Sequence, residues 1–161
     1  MSVIAIIPAR LASTRLERKA LQKIADKSML QWVWEQASNS KEIDSCYIAT
    51  DAEEIAQEIE SFGGKYIMTD PEIASGSARV HAAIEILGEK PQIVVNVQGD
   101  MPFINPELID KSILFFKENL NSFSMATVAT PIYSEEDFQN PNKVKVVLGV
   151  DNSAPKSNNS F

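Results

Sequence analysis

The chain is short of the residues that define several classes of protein. It has one cysteine, Cys46, so it cannot form an internal disulfide, and no other metal ligand stands at a suitable spacing from that residue. Its single histidine, His81, has no nucleophile motif at a matching spacing. We therefore interpret Cys46 as a buried structural thiol and His81 as a surface or packing residue without a catalytic role.

Long hydrophobic runs are also absent. The longest run near the start covers residues 3–8, lacks a basic leader and is too short to cross a membrane. We therefore expect a soluble cytoplasmic protein. With 44% hydrophobic and 23% charged residues, the composition is typical of globular proteins. We predict one folded domain over residues 1–150 and a disordered tail over residues 151–161, which is rich in Asn and Ser.

Positive charge is scarce outside one segment. The net charge is −7, which argues against binding to nucleic acid or acidic membranes, because both require a broad basic surface. Residues 10–27, however, hold six basic and two acidic side chains, so this stretch is +4 and the remainder is −11. This distribution favours a small anionic ligand over a polymer.

Short β-branched runs alternate with helical patterns along the chain. Such alternation predicts an α/β fold with a parallel sheet covered by helices. Residues 29–37 carry a hydrophobic stripe that we interpret as core, and Asp51 and Asn105 are predicted to cap helices, with Glu54 completing a capping box. The predicted strands cover residues 3–7, 46–50, 66–69, 93–97, 125–130 and 144–150.

The loop after the first predicted strand is basic and contains no glycine, which excludes both a Walker A loop and a dinucleotide-binding fingerprint. In a doubly wound sheet this loop is the favoured phosphate site. Arg10 and Arg15 can each form paired hydrogen bonds to phosphate oxygens, Lys19 adds a point charge, and Ser13 adds a hydroxyl donor. Composition alone leaves a solvated basic loop as an equal alternative.

A second polar segment follows the predicted strand at residues 93–97. Asp100 stands at the carboxyl end of that strand, where it could bind Mg²⁺ together with phosphate oxygens. Gly99 permits a close backbone approach, and Gln98 can donate to and accept from a base edge. The alternative is that Asp100 only caps a turn.

A third, weaker signal is Thr69 followed by Ser75 and Gly76. The Ser-Gly-Ser step is a plausible helix start whose free N–H groups would face the crevice, with Arg79 one turn further on.

Together these segments resemble the 3-deoxy-manno-octulosonate cytidylyltransferases. The resemblance runs without a gap from residue 2 to about residue 154, through the sequences IPAR, STRL, IATD, FGG, SG, VNVQGD and NPN leading into VKVV. It implies a Rossmann-like, mostly parallel mixed sheet with helices on both faces, of the nucleotide-diphospho-sugar transferase type. It also implies transfer of CMP from CTP to the sugar acid for lipopolysaccharide synthesis, with Mg²⁺ as cofactor and a homodimer in the full-length family.

The resemblance assigns roles residue by residue. Arg10, Lys19 and Asp100 would be catalytic, and Asp100 would also bind the metal. The implied nucleotide-binding residues are Pro8, Ala9, Arg10, Ser13, Arg15, Lys19, Thr69, Ser75, Gly76, Arg79 and Gln98.

Three departures from the family pattern stand out. The family usually has Pro-Gly where this chain has Glu17 and Arg18, and a glutamate where it has Met101. Family members are also longer, so we expect a truncation or frameshift near residue 154 that removes much of the sugar-acid pocket and most dimer contacts. Two alternatives to an active enzyme therefore stay open, namely a nucleotide-binding domain without turnover and an unstable fragment.

Overall fold

The computed structural model describes residues 1–11 and 18–147. These residues fall into two compact units, with the division between Ala126 and Thr127. The first unit holds almost all of the regular structure. Its strands are β1 (Val3–Ala9), β2 (Lys23–Ile24), β3 (Lys27–Ser28), β4 (Ser45–Thr50), β5 (Tyr66–Met68) and β6 (Ile93–Asn96). Its α-helices are α1 (Met29–Ser38), α2 (Glu53–Ser61), α3 (Gly76–Leu87) and α4 (Pro106–Glu118).

Four strands form a parallel sheet in the order β5-β4-β1-β6. Successive β1 side chains point to opposite sides of the sheet, and helices cover both sides, so both faces are buried. On one face Val3, Ala5 and Ile7 pack with buried residues of α1, α2 and α4. On the other, Ile4 and Ile6 pack against α3. The predicted α/β class, with a parallel sheet covered by helices on both faces, is confirmed.

The helices begin and end where local chemistry favours it. Ser28 caps α1 by accepting from the Gln31 N–H at 3.2 Å, and Asn105 caps α4 by accepting from the Glu107 N–H at 2.9 Å. Helix α2 ends before Gly63, whose φ of +75° suits glycine. The predicted core stripe of α1 is confirmed, since Met29, Leu30, Val33 and Ala37 are all buried.

Two expectations about local structure are wrong. Residues 125–130 form no strand, and neither do residues 144–147; residues 148–150 lie outside the described part of the chain. A β-rich segment needs a neighbouring strand to satisfy its backbone, and none pairs with these segments in the described residues. Asp51 does not cap α2 either, because its carboxylate accepts a hydrogen bond from Arg79, and charge-assisted bonds of this kind are the stronger ones.

In the second unit, the structure describes one short helix, α5 (Glu135–Gln139), capped by Ser134. Lys143 pairs with Asp137, and the hydrogen bond that it donates holds the pKa of that carboxyl below its ordinary value. The predicted tail over residues 151–161 lies outside the described residues. Across residues 1–11 and 18–147, no helix is long and apolar enough to span a membrane.

Candidate functional site

A cleft of about 290 Å³ lies at the carboxyl ends of β1 and β6. The chain passes from β1 to β4 and β5 on one side and then crosses to β6 on the other, so the strand order reverses between β1 and β6. Such a switch point is where open α/β sheets bind ligands. The lining residues are Pro8, Ala9, Arg10, Lys19, Ala20, Met29, Ile73, Ala74, Ser75, Gly76, Arg79, Gln98, Gly99 and Asp100.

The first wall is formed by the end of β1. Pro8 and Ala9 belong to the strand, and Arg10 follows with an exposed side chain that makes no ion pair among the described residues. Its guanidinium is therefore available to a ligand. The predicted contacts of Ser13 and Arg15 lie outside the described residues, which resume at Arg18.

Arg18 and Lys19 lie at the end of the basic loop, and of the two only Lys19 lines the cleft. Arg18 has a φ of 53°, a left-handed conformation that glycine adopts most readily and that the resembled family fills with glycine. Its side chain pairs with Glu54, away from the cleft lining. Lys19 instead lines the cleft, and its Nζ donates to Asp100 Oδ2 at 2.7 Å. The structure thus brings together two predicted site residues that are 81 positions apart.

The turn after β6 forms the opposite wall. Gly99 approaches the end of β1 so closely that an added Cβ would lie 2.9 Å from the Pro8 carbonyl oxygen, so a side chain would push the two walls apart. Gln98 is exposed, and its Nε2 donates to Asn96 Oδ1 at 3.1 Å. Gln98 lines the cleft, and its side-chain carbonyl oxygen accepts no hydrogen bond from the described residues.

The third wall comes from the segment before α3 and its first turn. Ser75 caps the helix by accepting from the Ala78 N–H at 3.1 Å, and Gly76 packs against the ring of Pro8, with an added Cβ 3.4 Å from Cγ. Sequence reasoning identified Ser75 and Gly76 but not Ile73 and Ala74, which also line the cleft. Those two residues carry no polar side chain that would have signalled a role.

Thr69 and Arg79 lie deeper than the sequence suggests. Thr69 is buried and absent from the cleft lining; its hydroxyl donates to the Thr50 carbonyl at 3.0 Å and accepts from Arg79. Arg79 is buried and paired with Asp51 at 2.7 Å. Sequence reasoning missed this role of Asp51, although Asp51 follows β4 as Asp100 follows β6, and that shared position was an available signal.

The residues excluded from the site are indeed elsewhere. His81 is exposed on α3 and its Nε2 lies 3.5 Å from Glu85 Oε1. Cys46 lies in β4, and burial raises the pKa of its thiol to about 12, against a smaller lowering by a hydrogen bond with Ser38. Because the thiolate is the reactive form, a pKa raised in this way disfavours a nucleophilic role for Cys46 near neutral pH.

The fold is an α/β sheet with a cleft at its switch point, a glycine-free basic loop after the first strand and a carboxylate after the fourth strand of the sheet. The model of the cytidylyltransferase family matches residues 4–160. The chain belongs to that family.

Curated relatives refine the comparison. The chain is 44% identical over 149 residues to the 8-amino-3,8-dideoxy-manno-octulosonate cytidylyltransferase of Shewanella sp. (strain W3-18-1), covering 92% of this chain and 61% of that protein. It is 42% identical over 155 residues to the protein of the same name from Shewanella frigidimarina, covering 96% and 63%. The chain therefore spans somewhat over three fifths of the length of these relatives.

Solved structures agree with the sequence comparison. CMP:2-keto-3-deoxy-manno-octonic acid synthetase complexed with CTP superposes with a TM-score of 0.72 at 32% identity, over 74% of this chain and 49% of that chain. A cytidylyltransferase from Leptospira borgpetersenii gives a TM-score of 0.62 at 23% identity, over 74% and 50%, which supports the fold alone.

Proposed function

We propose that this chain binds CTP in the cleft and serves the transfer of CMP to a sugar acid of the 3-deoxy-manno-octulosonate type, with release of pyrophosphate. The observation that carries this proposal is the meeting of Arg10, Lys19 and Asp100 at the switch point of the sheet. The chain's membership of the cytidylyltransferase family supports CMP transfer as the class of reaction. The named relatives act on the 8-amino variant of the sugar acid, which makes that variant the first acceptor to test.

The basic side chains suit a triphosphate. Arg10 offers a planar fork of donors without an ion-pair partner in the described residues, and Lys19 offers a mobile point charge. The Lys19–Asp100 pair is exposed, with 38% and 54% of the two side chains accessible, so a ligand can replace it at little cost. We propose that Lys19 turns from Asp100 to a phosphate oxygen when CTP binds.

Magnesium fits this donor set only together with the nucleotide. Within residues 1–11 and 18–147, no three His, Cys, Asp or Glu side chains cluster closely enough to hold a metal ion. Among the described lining residues Asp100 is the one carboxylate. Mg²⁺ commonly takes one or two carboxylates, with phosphate oxygens and waters as its other ligands. Bound there, Mg²⁺ would neutralise charge on the phosphates.

The protein's contribution to transfer is positioning and charge stabilisation. A hydroxyl oxygen of the sugar acid forms a bond to the α-phosphorus of CTP and loses its proton to solvent, and the bond from that phosphorus to the bridging oxygen breaks, which releases pyrophosphate. Arg10 and Lys19 hold the negative charge that accumulates on the departing pyrophosphate. Gln98 and the wall at residues 73–76 would enclose the cytidine.

A second candidate is CTP binding without transfer. It is favoured by the single carboxylate of the described cleft, because in-line displacement at phosphorus is often assisted by two metal ions held by several carboxylates. Release of pyrophosphate in the presence of CTP, Mg²⁺ and the sugar acid distinguishes transfer from binding alone.

The first test is calorimetric titration of the chain with CTP, with and without Mg²⁺. We expect saturable, Mg²⁺-dependent binding that Asp100→Asn weakens by about tenfold or more, which corresponds to ~1.4 kcal/mol. Without Mg²⁺, Asp100→Asn should bind CTP at least as well as the unchanged protein, because the substitution releases Lys19.

Asp26→Asn is the matched control, because Asp26 is exposed, lies within the basic segment and does not line the cleft. It should leave CTP affinity unchanged under both conditions. Binding that is indifferent to Mg²⁺ and to Asp100→Asn, or no binding by a folded chain, would contradict the proposal.

A further inference from the structure

Arg79 is the most deeply buried charged side chain near the cleft. It lies in the first turn of α3 with 2% of its side chain exposed, and its partner Asp51 is 13% exposed. Nη2 donates to Asp51 Oδ2 at 2.7 Å and to the Ile73 carbonyl at 3.3 Å. Nη1 donates to Thr69 Oγ1 at 2.5 Å and to the Asp70 carbonyl at 3.5 Å. Both terminal nitrogens are thus engaged by acceptors of the protein itself.

These acceptors come from two parts of the chain, the end of β4 and the residues that directly follow β5. Asp51 follows β4 and Thr69 follows β5, so both belong to the carboxyl edge of the sheet. The Asp70 and Ile73 carbonyls belong to the connection between β5 and α3. Arg79 therefore ties that connection to two strands and to its own helix.

The connection is anchored at its two ends, where Thr69 bonds to the Thr50 carbonyl and Ser75 caps α3, but its middle has few other contacts. Residues 70–72 and 74–75 are exposed, and the other bonds that the structure describes within residues 70–73 are local, from the Glu72 N–H to Asp70 Oδ1 at 2.8 Å and from the Ile73 N–H to the Asp70 carbonyl at 3.3 Å. Yet Ile73, Ala74 and Ser75 form a wall of the cleft. The buried guanidinium links the Ile73 end of that wall to Asp51 at the edge of the sheet. The Ser75 and Gly76 end is held by the helix cap and by the ring of Pro8.

We propose that the Asp51–Arg79 ion pair positions the nucleotide without touching it, by fixing the wall at residues 73–76 at the distance from Arg10 and Gln98 that cytidine requires. This inference rests on the proposed function of the cleft. It replaces the expectation that Arg79 and Thr69 bind the nucleotide themselves. A buried ion pair is a poor way to gain stability, since apolar residues of similar volume are often as stable, so a role in positioning accounts for its cost.

Asp51→Asn separates positioning from direct contact. If Arg79 positions the wall, the neutral amide holds it less firmly, and the dissociation constant for CTP should rise by about tenfold or more, since small displacements of a binding group are costly. If Arg79 binds the nucleotide directly, loss of its competing carboxylate should leave CTP affinity unchanged or improved. Arg79→Lys, which keeps the charge but removes the fork, should also weaken binding.

The two variants should not be additive. Because Asp51 and Arg79 act as one unit, the double variant Asp51→Asn/Arg79→Lys should bind CTP about as weakly as the weaker single variant. Fully additive losses would mean that the two residues act separately, which would overturn the proposal.

Hydrogen exchange supplies a readout that needs no nucleotide. In the unchanged protein, Asp51→Asn and a control, exchange is measured by mass spectrometry on peptides that contain residues 70–76. The control is Glu42→Gln, which breaks the Glu42–Lys117 pair, a partly buried ion pair away from the cleft. Asp51→Asn should accelerate exchange at residues 70–76 selectively, whereas Glu42→Gln should lower Tm without changing exchange there or CTP affinity.

CTP affinity and hydrogen exchange together distinguish failure of the proposed function from failure of the positioning role. If the unchanged chain does not bind CTP, the proposed function fails, and unchanged exchange at residues 70–76 in Asp51→Asn then shows that the wall is not held by the pair either. If CTP binds and Asp51→Asn lowers only Tm, with exchange and affinity unchanged, the pair is merely structural and the inference is overturned. Selective exchange with weakened CTP binding supports it.

Discussion

Two ion pairs at the cleft differ in how readily they can be exchanged. Lys19 and Asp100 are both well exposed, so their pairing contributes about 0–1 kcal/mol, and a phosphate or a metal ion can take either partner. Arg79 and Asp51 are buried, and removal of one partner from such a pair costs roughly 3–5 kcal/mol. The exposed pair is therefore suited to binding a ligand, and the buried pair to holding the site's shape.

At Cys46 the structure makes a prediction about reactivity. With the pKa of the thiol raised to about 12, the thiolate fraction at pH 8 is about 10⁻⁴, against roughly a quarter in an unfolded chain. We expect iodoacetamide to alkylate the native protein at least about 100-fold more slowly than the urea-unfolded protein, followed by mass spectrometry. Equal rates in the two states would show that the thiol is not protected.

The same shift affects stability at high pH. Because the folded pKa of Cys46 exceeds the unfolded value, folding favours the protonated thiol. This contribution to the free energy of unfolding is complete below about pH 8.5 and is lost as the pH rises towards 12. Cys46→Ala should therefore flatten that part of the pH dependence measured by urea unfolding.

At the scale of elements, two helices offer a matched pair of caps. Ser75 caps α3 and lines the cleft, whereas Asn105 caps α4 and does not. Ser75→Ala and Asn105→Ala should each lower the free energy of unfolding by about 1 kcal/mol in urea titrations. Only Ser75→Ala should also weaken CTP binding, because it loosens the first turn that supports the wall. Equal effects of both variants on CTP affinity would contradict this assignment.

Strand β1, helix α1 and residues 125–130 show when a local sequence pattern predicts an element correctly and when it does not. Strand β1 was predictable because a strand buried on both faces reads as a continuous apolar run, and helix α1 because its buried positions recur at about 3.6 residues. Residues 125–130 have equal β propensity but no strand, since in the described residues no neighbour supplies the backbone partners. A segment with high β propensity therefore forms a strand only where a neighbouring strand pairs with its backbone.

At the scale of the whole molecule, charge separates the cleft from the remaining surface. The chain carries −7 overall, while the described cleft lining holds Arg10 and Lys19 against the carboxylate of Asp100. A third basic lining residue, Arg79, is buried and paired with Asp51. A surface of this kind repels polyanions but concentrates a small anion at a basic concavity such as this cleft. The charge distribution thus agrees with a nucleotide as ligand.

The division into two units leads to a prediction about a shorter chain. Every residue that lines the cleft belongs to Met1–Ala126. A variant that stops after Ala126 should therefore fold and bind CTP with Mg²⁺ within about threefold of the full chain, as measured by circular dichroism and calorimetry. A folded but non-binding variant would mean that residues beyond 126 contribute to the nucleotide site.

The sequence by itself determined the α/β class, the first four parallel strands and the candidates Arg10, Lys19 and Asp100, because each of these depends on local periodicity or on a position at a strand's carboxyl end. Ser13 and Arg15 stay predictions. Only the tertiary structure decided that Lys19 pairs with Asp100, and that Asp51 pairs with Arg79 rather than capping α2. The physical reason is that partners 81 and 28 positions apart are selected by how the strands stack, and no local pattern records that distance.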